Sequence, residues 1–105
     1  MNKYYTLTVG GEDYKLRFTA SSIMETEKKL GKSILDALNS LKENAIGTMT
    51  TILWGAMQSL NPGFSEKDAL AMFDNYIDAG NKFEDVIKVI GDVLEVSGFF
   101  GKGQE

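Results

Sequence analysis

The residues of this chain best suited to acid–base chemistry are carboxylates in close pairs: Glu25 with Glu27, Asp74 with Asp78, and Glu84 with Asp85. Hydrolysis by paired carboxylates needs both to converge on a cleft with their proton affinities pushed apart. These pairs fall instead at helix starts or on polar helix faces, where acids suit the helix dipole and solvent. The chain contains no histidine and no cysteine. That removes the commonest general base near neutral pH, the thiolate nucleophile and the soft metal ligands. A chain without disulfides also fits a reducing compartment. Gly10-Gly11 lacks the lysine and hydroxyl that follow P-loop glycines, and no segment has the alternating oxygens, glycine and distal glutamate of a calcium loop. No catalytic, cofactor or metal residue is assigned, and the chain reads as a non-enzyme.

Charge narrows the partners. Fifteen acidic residues against eleven basic ones give a net charge of -4, which repels a phosphate backbone. The segments 65–80 and 81–97 have the lengths of a helix-turn-helix. The second would present Glu84, Asp85, Asp92 and Glu95 against Lys82 and Lys88, so nucleic acid is not an expected partner. No stretch approaches the roughly 20 apolar residues of a membrane span, and the first residues do not form a signal peptide. The expected location is the cytoplasm.

What remains is binding to another protein. Trp54 lies about 100° round its helix from Leu53, in line with Gly47, Thr50, Thr51 and Gln58 and off the main apolar stripe. It either packs against a second neighbour or serves as a binding hot spot. Phe99 and Phe100, adjacent in a glycine-rich end, either fold back onto the core or wait for a partner. A groove between the third and fifth helices, near Met49, Trp54 and Met57, is the expected protein-binding site, because methionine adapts to varied apolar surfaces.

The elements that must position these residues follow from periodicity. Tyr5, Leu7 and Val9 alternate, and so do Tyr14, Leu16 and Phe18 after Gly10-Gly11-Glu12-Asp13, which predicts a hairpin with Lys15 and Arg17 facing water. Such a hairpin is marginal alone and needs helices to cover it. Ser22 with Glu25 predicts a capping box for a helix over 21–30, ended by Gly31. Ser33 with Asp36 opens a second helix over 33–43. Ile46, Met49, Ile52, Leu53, Ala56, Met57 and Leu60 give the strongest stripe, a central third helix ended by Asn61-Pro62-Gly63. Ser65 and Asp68 open a fourth, with Ala69, Leu70, Phe73, Tyr76 and Ile77 as its apolar face. Phe83, Val86, Ile87, Val89, Ile90, Val93 and Leu94 form a fifth despite Gly91 and the β-branched content. The expectation is one α+β domain over 1–98, a β-hairpin packed on about five short helices, with a frayed tail over 99–105.

The run Tyr14-Lys15-Leu16-Arg17-Phe18-Thr19, then Ile23, then Glu27-Lys28-Lys29-Leu30-Gly31-Lys32-Ser33-Ile34, resembles the opening of small tail assembly chaperones of long-tailed bacteriophages and of related gene transfer agent proteins. The likeness covers roughly the first third of the chain. Thr26 stands where the family would place an apolar residue before the glutamate. The resemblance implies a non-catalytic protein that coats the helical tape measure protein in the host cytoplasm, keeps it soluble during tail assembly and is absent from the mature virion. It also implies that a longer frameshifted product is made in many cases. Rival readings are an oligomeric adaptor or structural tail subunit, which would self-associate, and an acidic, antitoxin-like regulator.

Overall fold

The computed structural model of the chain describes residues 3–99. Its first turn is set by two glycines. Gly10 and Gly11 both have positive φ, 56° and 86°, which side chains resist and which a two-residue hairpin turn requires. That turn fixes the register of β1 (Tyr5–Val9) and β2 (Glu12–Leu16), with Leu7 opposite Tyr14 and Tyr5 opposite Leu16. Leu7, Val9, Leu16 and Phe18 are buried on the predicted face.

Five helices follow: α1 (Ala20–Leu30), α2 (Ile34–Asn39), α3 (Ala45–Gln58), α4 (Glu66–Asp78) and α5 (Phe83–Val96). The fold is α+β, as expected. α3 is its centre, touching α1, α2, α4, α5 and β2, while β1 lies against α4 and α5. The void among Leu7, Leu53, Met72, Phe73, Tyr76, Val86 and Val89, where hairpin and helices meet, is only about 10 Å³, so the core is tightly filled.

The hairpin is also tied to α3 by hydrogen bonds. The last carbonyls of a helix have no partner within it. Here the Arg17 N–H donates to Ala56 O at 2.8 Å, and Asn61 N–H donates to Met57 O at 2.7 Å. In return Ser59 Oγ donates to Arg17 O at 3.1 Å and Asn61 Nδ2 to Lys15 O at 3.0 Å. The Phe18 N–H reaches Ser97 Oγ beyond α5, at 2.9 Å. Arg17 is consequently half-buried, with its Nε unpartnered, and does not stand in water as the strand alternation predicts. The strand ends at Leu16, and the chain turns inward there to cap α3.

Three local expectations are corrected. The capping box of α1 joins Thr19 and Ser22, not Ser22 and Glu25: Ser22 N–H donates to Thr19 Oγ1 at 3.1 Å and Thr19 N–H to Ser22 Oγ at 2.9 Å. Ser22 is buried inside the first turn, so it fills the place that glutamate usually takes. The second helix stops at Asn39, because Ser40 Oγ bonds back to Asp36 O at 2.7 Å and leaves only a 3-10 turn over Leu41–Glu43. Ile46, Leu60, Leu70 and Ile77, assigned to apolar core faces, are exposed. A central helix is covered from several sides, so its buried set instead takes in Thr50 and Gly55. Of the expected tail, only Phe99 lies within the described residues.

α1 and α3 cross in close contact. Thr26 is fully buried, its hydroxyl donating to Ser22 O at 2.7 Å, and it lies directly over Gly55. A Cβ on Gly55 would overlap the Thr26 hydroxyl and come within 3.0 Å of its Cβ. Gly91, inside α5, faces open space. One substitution should therefore have opposite signs at the two sites. Gly55→Ala is expected to destabilise by about 1–3 kcal/mol or more through overpacking. Gly91→Ala should stabilise by about 0.5–1 kcal/mol through helix propensity. Urea midpoints of the two variants check both signs, and equal shifts would contradict the crossing.

Candidate protein-binding surface

The turn between α1 and α2 is built from local hydrogen bonds. The Glu27 carboxylate accepts from the Ile34 N–H at 2.9 Å, Gly31 takes the left-handed conformation, and Ser33 Oγ accepts from Asp36 N at 3.0 Å. Two of the open N–H groups of α2 are thus satisfied, one of them by a charge that suits the positive helix end. Glu27 thus positions the start of α2 against the end of α1. Asp85 likewise caps α5, accepting from the Lys82 N–H at 2.8 Å. Among the described residues, no three acidic side chains gather to hold a metal ion, and no helix is long and apolar enough to cross a membrane.

The expected groove at Met49, Trp54 and Met57 does not exist as a surface. Met49 and Met57 are fully buried in the core, where their flexible side chains fill space between α3 and its neighbours. Trp54 is half-buried, with the Lys29 ammonium 4.8 Å from its ring centre. Lys29 also pairs with Glu66 at 3.2 Å, so this cluster links α1, α3 and the start of α4. Phe99 is exposed, its N–H donating to Leu94 O at 3.0 Å, and Phe100 lies outside the described residues.

The structure opens an apolar trough elsewhere. Between the start of α3, the second half of α4 and the start of α5 lies a depression of about 560 Å³, lined by Ile46, Phe73, Ile77 and Phe83 and edged by Asp74 and Asp78. Phe73 and Phe83 meet edge to face at 6.2 Å and form its wall. Ile46 is 50% exposed and Ile77 39%, and Leu70, one heptad before Ile77, continues the stripe at 48%. The edge continues past Asp78 into a second depression lined by Glu12, Tyr14 and Asn75. There Tyr14 donates to Glu12 at 2.9 Å, and that bond with the adjacent charge raises the phenol's pKa.

Asp74 and Asp78 are electrostatically ill placed for the isolated fold. They stand four residues apart in the last turns of α4, where no basic residue offsets the negative helix end. Among the described residues neither forms an ion pair. Like charges at this spacing cost about 0.2–0.5 kcal/mol, and an acid near a helix C-terminus about 0.3–1 kcal/mol. A sequence signal for this surface existed: apolar residues at 69, 70, 72, 73, 76 and 77 cover a wider arc of α4 than one packing face uses.

A family model, DUF6096, aligns with residues 2–105 of the chain. The chain belongs to this family of unknown function. No curated protein and no solved structure matches this DUF6096 chain.

Lys29→Ala should lower the stability of the DUF6096 chain by roughly 0.5–1.5 kcal/mol, from the lost cation–π contact and ion pair together. Glu66→Ala should cost less, since it leaves the ring contact in place. Urea unfolding followed by the fluorescence of the single tryptophan measures both. The reverse order would mean that the ion pair, not the ring, holds Lys29.

Proposed function

We propose that this chain is a tail assembly chaperone of a phage or prophage, binding the tape measure protein in the host cytoplasm and keeping it soluble without catalysing a reaction. The observation that carries the reading is the junction of hairpin and helices. The glycine-turned hairpin runs into a helix closed by Glu27, Leu30 and Gly31, and Ser33 opens the next, in the order that the resemblance describes. Support also comes from the surface: Met24, Leu35, Ile46, Leu60, Leu70, Ile77 and Phe99 are all large, apolar and exposed on a chain of 105 residues. Of these, Ile46 and Ile77 share one depression, and contiguous apolar exposure marks interaction surfaces. Many weak copies along one long client would gain avidity from their number.

Coexpression with the tape measure protein of the same phage or prophage tests the reading. The expected result is that the client becomes soluble and the two proteins copurify. A client that stays insoluble while the DUF6096 chain elutes alone would contradict it.

A further inference from the structure

We infer that the trough beside α4 is the client-binding surface, and that its occupant is an amphipathic helix of another protein with basic residues flanking its apolar seam. The inference rests on the reading of the chain as a binder of helical clients, but not on which client it binds. Ile46, Ile77 and Phe83 offer an apolar floor, and Leu70 extends it along the helix axis. Leu70 and Ile77 stand seven residues apart on α4, about 10 Å along its axis, so about two turns of a bound helix can lie against them.

Charge selects the occupant. Asp74 and Asp78 edge the trough, Glu12 prolongs the acidic margin past Asp78, and Lys82 is the one basic residue among those lining it. Lys67 lies farther up α4, two turns before Asp74. Asp74 and Asp78 repel one another and oppose the helix dipole, so the free protein gains nothing from them. A row of lysines or arginines laid along the trough would relieve both effects and leave the carboxylates paired. A second copy of this chain would instead bring another acidic margin to the same face, with like charges opposed.

The probes are two synthetic peptides of about 20 residues with the same leucine seam, one flanked by lysine and the other by glutamate. They would be titrated into the isotopically labelled chain and followed by amide NMR shifts. The lysine peptide is expected to bind, with shifts centred on Ile46, Ile77 and Phe83 and with affinity falling as salt rises, while the glutamate peptide does not bind. Ile77→Ser and Leu70→Ser, both at exposed positions, should each raise Kd roughly tenfold, whereas Met24→Ser should not change it. Asp74→Asn with Asp78→Asn should weaken binding yet raise the urea midpoint of the free protein. Absence of binding, equal binding of both peptides, insensitivity to Ile77→Ser, or a dimer of the free chain that Ile77→Ser dissolves would each overturn the inference. If the tape measure protein copurifies and the peptides fail, the chaperone reading stands and this surface falls. If the lysine peptide binds as described and the tape measure protein does not, the surface stands and the client is another protein.

Discussion

Between α1 and α3 there is room for a threonine only because residue 55 carries no side chain. The approach of these two helices sets the position of nearly everything else. α1 arrives from the hairpin through Phe18 and Thr19, so its seating on α3 fixes where β2 ends and lets the Arg17 N–H reach the open carbonyl of Ala56. From the far end of α1, Gly31 and the Glu27 carboxylate place α2. A polar residue is tolerated at the crossing because Thr26 returns its hydroxyl to Ser22 O and leaves no buried donor unmet. Thr26 is thus the small, self-satisfied side chain that a glycine-lined crossing accepts.

Much of this was legible beforehand, and the misses share a cause. The hairpin face follows from a period of two and a turn that only glycines make readily, so its register left little freedom. The starts of α2 and α4 follow from Ser33 with Asp36 and Ser65 with Asp68, local hydrogen bonds that need no tertiary context. Legibility ended where a residue's partner lies elsewhere in the chain. The sequence places Met49 and Met57 on the strongest stripe but does not say that the stripe is buried from Met49 to Met57 and exposed at its ends, Ile46 and Leu60. The importance of Gly55 is not legible in the sequence, since it depends on Thr26 in another helix. In α4 both the buried and the exposed apolar residues obey helical spacing, and only packing shows that Leu70 and Ile77 lie beyond the edge of what α3 and β1 cover.

A division of labour follows within α4. Its inner face, Ala69, Met72, Phe73 and Tyr76, belongs to the core, where burial also raises the pKa of the Tyr76 phenol. Its outer face combines unneeded apolar exposure with carboxylates that the free fold would be more stable without. Features that lower the stability of a free protein and lie together are what a binding surface retains at the expense of the fold. The α1–α3 crossing lies in the core and the proposed binding face of α4 lies outside it, so changes at one should leave the other largely intact.

Hydrogen exchange of the whole chain, alone and with the proposed tape measure client, tests that separation most directly. The account predicts that the slowest amides of the free protein lie in α3 near Gly55 and in the buried turns of α1 and α5. It also predicts that the client adds protection along α4 from Leu70 to Asp78 and at the start of α5. Protection gained instead around Met24 and Leu35, with α4 unchanged, would contradict the account.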